Sequence, residues 1–374
     1  MSIVVISATS LFQGGPLTVG REFLSALCAS EAFQRGDLRV VMFCHRRDLY
    51  SEIPDHPHLQ WIEKPHARSN WLMRLFFEYI YFRFWSLRRP VDLWISLQDV
   101  TPHVRARHRV VYCHNSTSFY DGPHDWLGDP RLEMFRLFYG LFYRINLPKN
   151  DYVVVQQQWL REGFEKRFGR PQATTIVAHP VRERSIEAPE HRPPDGKLVV
   201  LYPLFPRSFK NCEVLIEAMR DLRDLPVELF FTFTGNENRY ARRMRAAAAD
   251  LPAVRFAGFL PQPELERLYG HAHVLVFSSK LETWGLPLSE FRAHGKPIIA
   301  ADLPYAREVL AGYRLSVFFD PSAPRDLARL LRRYAETGTL PYEVGRVVQA
   351  PPFASTWAEL VSLLLSLITP SRAP

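Results

Sequence analysis

Two carboxylates, Glu282 and Glu290, bracket a Gly-Leu-Pro turn in HVLVFSSKLETWGLPLSEFRAHGKPIIAADLPYAREVL, residues 273–310. Ionised carboxylates are acceptor-only groups with two oxygens, suited to the vicinal hydroxyls of a sugar or a ribose. Proline suits a first helical turn, so the spacing predicts a helix opening at Leu286–Pro287. Gly285, just before it, permits close approach of backbone to a ligand. The N–H groups of Gly285–Leu288 would then carry the partial positive charge of a helix N-terminus, a seat for a diphosphate. Glu282 precedes the helix and Glu290 lies about one turn inside, so the pair can reach different parts of one extended ligand, the sugar and the ribose. One glutamate alone reads as a solvated helix-end carboxylate; the combination with strand, glycine and proline favours a site.

Further candidates follow other strand ends. Gly14–Gly15 stand between a first buried run and a helix, where backbone N–H groups can meet phosphate or simply make a tight turn. The pattern is not GxGxxG and no acidic residue closes a second strand, which disfavours a nicotinamide cofactor. His114 and Asn115 follow the strand HRVVYC, and Gln98 and Asp99 follow VDLWIS; Gln98, Asp99 and Asn115 are expected to contact an acceptor. Cys28, Cys44, Cys113 and Cys212 are scattered, which argues against a zinc site or a disulfide framework. No DxD follows a strand, so neither a metal nor another cofactor is expected.

The elements that must position these residues alternate. Runs at 2–7, 38–43, 91–96, 108–113 and 151–156 read as strands buried on both faces, with amphipathic segments between some of them. A polar, proline-rich stretch at 182–196 reads as a linker. The alternation restarts with strands at 197–204, 227–235, 253–259, 272–279 and 296–302 and helices at 212–222, 239–250 and 263–272. Residues 356–368 read as a closing helix. The expected architecture is α/β, with a first domain at 1–180, a linker at 181–196, a second domain at 197–352 and a C-terminal helix and tail at 353–374. Ligands of such folds bind at the carboxyl ends of the strands.

A formal charge of +8 points to an anionic partner. Nucleic acid is disfavoured, because no binding motif or basic block accompanies the charge. Two stretches, 70–90 and 131–149, interleave aromatic residues with arginines. They read as segments making peripheral contact with a membrane interface, ahead of the alternative of aromatic core helices with a charged outer face. The N-terminal MSIVVISAT reads as a first strand rather than a signal peptide, and no run is long enough to span a bilayer. The expected location is therefore cytoplasmic, at the inner face of the plasma membrane.

The segment Glu282–Phe291, E-T-W-G-L-P-L-S-E-F, resembles the E-x7-E donor signature of glycosyltransferase family 4, usually E-G-F-G-L-P-x-x-E-A. Thr283 and Trp284 stand for Gly-Phe, and Phe291 for Ala. LYPLFPRSFKNCEVLIEAM resembles the family's G-R-x-x-x-x-K-G segment, with Lys210 at the phosphate-binding lysine and Arg207 supplying the guanidinium from a different spacing. By the same resemblance Gly258, Phe259 and Leu260 hold the nucleotide base through backbone contacts, and Trp284, Gly285, Leu286 and Pro287 line the donor. His114–Asn115 stand where the family often has His-Asp.

The resemblance implies a GT-B fold: two Rossmann-like domains facing each other across a cleft, with the C-terminal helix packing back toward the N-terminal domain. The Gly14–Gly15 loop would then face the diphosphate. It also implies a metal-independent, retaining transfer from a nucleotide-sugar, with Glu282, Lys210, Arg207 and His114 as the catalytic groups. The expected donor is GDP-mannose or a related GDP-sugar. The expected acceptor is a lipid-linked saccharide of bacterial surface polysaccharide synthesis. The alternatives of the same fold are a sugar-nucleotide epimerase, which needs no acceptor, and a non-catalytic nucleotide-binding subunit.

Overall fold

The computed structural model describes residues 1–122, 126, 129–179, 196–345 and 347–368, with the side chain of residue 131 left aside. Most of the expected linker, 181–195, and the tail 369–374 lie outside the described residues.

Aliphatic and aromatic runs without alternation cannot present a polar face, so they become strands covered on both sides. In the first sheet these are β1 (Ser2–Ala8), β2 (Leu38–Cys44), β3 (Leu59–Glu63), β4 (Leu93–Ser96), β5 (His108–Tyr112), β6 (Tyr152–Val155) and β7 (Thr175–Ala178). The second holds β8 (Leu198–Tyr202), β9 (Val227–Phe231), β10 (Val254–Phe256), β11 (Val274–Phe277), β12 (Ile298–Ala301) and β13 (Ser316–Phe319). A last short strand, β14 (Phe353–Ala354), returns to the first sheet. The orders are β14-β7-β6-β5-β4-β1-β2-β3 and β10-β9-β8-β11-β12-β13, all pairs parallel. Each sheet reverses its winding once, between β1 and β4 and between β8 and β11. Ligands of doubly wound sheets bind at such a reversal.

Each of the ten expected strands is present, most of them shorter by a residue or more at an end. The longest overruns, 227–235 and 253–259, stop at Phe231 and Phe256, because Thr232–Gly235 and Ala257–Phe259 turn away as loops. Four strands lie outside the expected set: β3, β7, β13 and β14. Each is five residues or fewer, too short for a periodicity to stand out.

Helix Gly14–Ala29 lays Leu17, Phe23, Leu24 and Leu27 on the first sheet. The closing helix Trp357–Leu365 joins the same core through Trp357, Leu360 and Leu364, with Phe23 and Trp357 meeting edge to face at 6.3 Å. By contacts the chain forms two compact units: Met1–Asn115, Phe138–Arg182 and Gln349–Pro374 in one, Ser116–Leu137 and Glu183–Val348 in the other. Residues 116–137 thus cluster with the second unit and 349–352 with the first. Among the described residues no helix is long and apolar enough to cross a membrane.

Candidate functional site

The winding reversal of the second sheet brings Lys210 and Glu282 together. β8 ends at Tyr202, and its loop closes through a 3-10 turn at Ser208–Lys210 into Asn211, whose φ is +54°. The Tyr202 hydroxyl donates to Lys210 O at 2.8 Å, and the Ser278 hydroxyl, just beyond β11, reaches both Lys210 O and Asn211 O. The neighbouring loop is tied in by Lys280 N–H donating to Phe209 O at 2.7 Å. On this frame Lys210 Nζ donates to Glu282 Oε1. The two side chains are only 15% and 14% exposed, so solvent screens the pair weakly. An ammonium carries three donors, so Lys210 can keep Glu282 and still offer hydrogens to a phosphate.

Glu290 is held by a different element. Helix Gln262–His271 buries Tyr269, whose hydroxyl donates to Glu290 Oε2 at 2.7 Å. Burial pushes the Glu290 carboxyl above its ordinary value, and the Tyr269 hydrogen bond opposes that rise. Helix Leu286–Arg292, which carries Glu290, starts as expected after Gly285, whose φ of +89° only glycine adopts readily. One expectation needs correction. Pro287 has no N–H, and Leu288 N–H donates to Gly285 O at 2.9 Å, so Gly285 and Leu286 are left as the backbone donors of this turn. With seven residues the helix also falls short of a full macrodipole.

The other donor-side residues fall in distinct roles. Trp284 is buried, its indole N–H donating to Ser289 Oγ at 2.8 Å, so it braces the turn from beneath. Gly258 has φ +81° and allows the loop after β10 to turn, leaving Phe259 86% exposed and Leu260 half-buried. Arg207 lies 3.8 Å from Asp129 and over the exposed Phe205 ring, while Lys210 takes Glu282.

In the first unit, Gln98 and Asp99 sit at the reversal between β1 and β4. Gln98 Oε1 accepts from Thr9 Oγ1, Ser10 N and Ser10 Oγ, and its amide donates to Glu78. Asp99, at φ +66°, accepts on Oδ1 from His114 N–H (2.5 Å), Asn115 N–H (2.8 Å) and the Tyr143 hydroxyl (3.2 Å). Gln98 and Asp99, two of the three residues expected to contact an acceptor, have side chains that are buried and bonded inside the unit, while Asn115 is half-buried. The two buried side chains shape the loops that carry Ser10 and His114. The Tyr143 hydroxyl also donates to Asn115 O. His114 Nε2 is 3.0 Å from Leu97 O; a carbonyl only accepts, so the proton is on Nε2 and Nδ1 is the acceptor. Burial lowers the imidazole pKa, against the opposing charge of Asp99, and favours this neutral form. Gly14, exposed at φ +66°, opens its helix without a side-chain cap and without an acid in the first turn.

Residues 183–345, which hold Lys210, Glu282, Glu290 and their frame, match the family described as glycosyl transferases group 1. This part of the chain is similar to group 1 glycosyltransferase domains. A D-inositol 3-phosphate glycosyltransferase from Nocardioides sp. is 26% identical over 185 residues, which is 43% of this chain and 40% of that protein. The chain thus matches well under half the length of that relative. Among solved structures, a sucrose-phosphate synthase from Thermosynechococcus elongatus superposes with a TM-score of 0.64 at 15% identity, covering 99% of this chain and 95% of that one. The lipopolysaccharide outer core galactosyltransferase WaaB gives 0.58 at 14% identity, covering 99% and 96%. HepE of Anabaena, in complex with UDP and glucose, gives 0.60 at 13%, covering 98% and 97%. These likenesses show the fold, which is GT-B: two parallel-sheet α/β units.

Within the matched segment, Tyr269 is the support of Glu290 that motif reading missed. Its signal, a tyrosine on the helix before the motif, is legible only once that helix is seen beside Glu290. Lys296 secures that helix, its ammonium donating to the carbonyls of Tyr269 (3.0 Å), Gly270 (2.5 Å) and Ala272 (2.8 Å). A cation on the last carbonyls of a helix satisfies acceptors that have no helical partner.

Proposed function

We propose that this chain is a retaining, metal-independent glycosyltransferase that moves a sugar from a nucleotide-sugar to a lipid-linked or growing oligosaccharide. The observation that carries the reading is the Lys210–Glu282 pair at the second sheet's winding reversal, beside the Tyr269-bound Glu290, within a group 1 domain. Glu290 takes a ribose hydroxyl on Oε1, since Tyr269 occupies Oε2. Glu282 orients the donor sugar. Lys210 Nζ, with the N–H groups of Gly285 and Leu286, meets the charge that grows on the diphosphate as its bond to the sugar breaks. Arg207 adds a second cation on the same loop, and Gly258–Leu260 hold the base.

In the transfer the acceptor hydroxyl oxygen bonds to the anomeric carbon on the face the diphosphate leaves. The phosphate oxygen departs with the bonding pair and takes the hydroxyl's proton. In the first unit His114 offers Nδ1 to a sugar hydroxyl, Asn115 contacts the acceptor, Gly14–Gly15 offer N–H groups to phosphate, and Gln98 and Asp99 position these loops.

The proposed donor is GDP-mannose or a related GDP-sugar, and the proposed setting is surface polysaccharide synthesis at the inner face of the plasma membrane. The solved neighbours include a lipopolysaccharide galactosyltransferase and a UDP-bound protein, at identities that pass on the fold rather than the substrate. A thermal-shift panel of GDP, UDP, dTDP and ADP, followed by turnover of the matching sugar-nucleotides, tests the reading. A rise in unfolding temperature with one nucleotide, lost in Glu290→Ala, is expected. Equal stabilisation of wild type and Glu290→Ala would sink the donor-site assignment.

A further inference from the structure

The two aromatic-basic segments fold into helices whose outer faces are apolar. Trp71–Phe76 and Phe82–Leu87 are joined through a π-turn at Phe77–Tyr81. Their inner side, Phe77 and Phe82, packs with Phe43 and Trp94 of the first sheet. Leu72, Phe76, Ile80, Phe84 and Leu87 are all exposed, Leu72 at 78%. These fall at steps of four, four, four and three, one row along the outer face, while the π-turn buries Phe77 and Glu78. Phe138, Leu141 and Ile145 of helix Pro130–Asn146 form a second exposed row at the same helical spacing. The rows are adjacent. The Trp71 ring stacks on Phe138 and Phe142, each with centroids 5.9 Å away, and further along the Tyr79 hydroxyl bonds Asn146 at 3.0 Å. A helix of a water-soluble surface ordinarily shows the opposite arrangement, polar side out.

Charge at this face has one sign. Residues 70–90 contain a single acid, Glu78, and 131–149 a single acid, Glu133, and both are buried. Arg88 and Arg89 are exposed at the end of the first row, and Arg144 is exposed between Leu141 and Ile145. Arg83, Arg109 and Lys149 crowd His103 closely enough to add to the burial that lowers its pKa, which marks a basic rim. An exposed apolar band edged by cations, with both acids of its own segments buried, complements an anionic bilayer surface: headgroup phosphates for the arginines, acyl chains for the rings. A protein partner of matched shape would not require that both acids be withdrawn.

The geometry points to a membrane-docking face made by these two helices, its occupant being the headgroup and upper acyl region of an anionic phospholipid leaflet. It stands on surface chemistry alone, so it survives or falls independently of the transfer reaction.

The test is sedimentation of the full chain, purified without detergent, with phosphatidylcholine vesicles lacking or containing phosphatidylglycerol, at low and high salt. Binding is expected only with the anionic lipid, weakened by salt. Arg88→Glu with Arg89→Glu should reduce it about tenfold or more, since each juxtamembrane cation near an anionic surface contributes ~1 kcal/mol. Leu72→Ser, Phe84→Ser and Leu141→Ser combined should abolish it, with the unfolding midpoint preserved because these side chains are exposed. Quenching of wild-type tryptophan fluorescence by brominated phosphatidylglycerol, diminished in Trp71→Phe, gives a readout that needs no apolar-face variant. Equal binding to neutral vesicles, retained binding by the triple serine variant, or a lipid-independent dimer that buries these rows in sedimentation velocity would each overturn the proposal.

Discussion

Lys210 and Glu282 form an ion pair that water reaches poorly, and that determines what their replacement does. Removing one partner leaves the other charge under-solvated, whereas replacing both by neutral groups of similar shape does not. Lys210→Ala is expected to lower stability by about 1–2 kcal/mol, discounted from the fully buried case, and to abolish sugar transfer. Lys210→Met combined with Glu282→Gln should recover most of the stability and none of the transfer. Chemical denaturation beside a turnover assay checks both, and additive losses in the double variant would show that the two groups act separately. Tyr269→Phe removes one hydrogen bond to Glu290, worth about 1 kcal/mol. The expected result is roughly fivefold weaker nucleotide binding with transfer retained, read by calorimetry. Glu78, 1% exposed, has its carboxyl pushed to about 8 by burial, against the opposing pull of Arg74 and Gln98. The folded chain thus holds a proton there that the unfolded chain releases near the ordinary glutamate value. Its stabilising effect is complete below about 4.5 and lost as pH rises through 8. Against Glu78→Gln, wild-type stability should fall by up to ~1.4 kcal/mol per pH unit across that window. A constant difference between the two would exclude a buried, protonated carboxyl.

Elements differ in how plainly the sequence announces them. The donor turn is legible because its chemistry is local: Gly285 supplies a backbone that other residues resist, and Pro287 opens the helix. Gly285→Ala must hold an L-residue at φ +89°, with its new Cβ 3.2 Å from Leu288 Cδ1. A loss of about 1–2 kcal/mol is expected, together with weaker nucleotide binding; an unchanged unfolding midpoint would mean that the turn relaxes. The supports of the site are not local. Tyr269 stands twenty-one residues before Glu290, and Lys296 fastens a helix that it follows in sequence. Gln98 and Asp99 illustrate the converse. Their place after a strand marks a functional edge, yet which way each side chain turns depends on Glu78, Ser10 and Tyr143, and no spacing encodes those partners. The aromatic segment 70–90 was ambiguous for a related reason. Its composition serves both faces of the helix, and only the π-turn fixes which rings go inward.

At the scale of the whole molecule, the alternation of buried runs and amphipathic segments foretold two parallel α/β sheets, since each unit needs its own core. It did not itself foretell that the chain enters the first unit three separate times, although the family resemblance implied the return of the C-terminal helix. β14 pairs with β7, and Trp357, Leu360 and Leu364 sit in the same core as Phe23 and Leu27. A fragment ending at residue 180 therefore lacks part of its own interior. Expressed alone it should aggregate or bind hydrophobic dyes, and co-expression of a peptide spanning 349–374 should rescue its solubility. A soluble, cooperatively melting fragment would show that the last strand and helix are dispensable. The order of synthesis carries a further consequence. At ~5–20 residues per second, Trp357 leaves the ribosome tens of seconds after Phe23, the ring it packs against. Throughout that interval the nascent first unit carries an uncovered apolar surface while most of the second unit is being made. The half that starts first finishes last, so its maturation depends on whatever shelters that surface during translation.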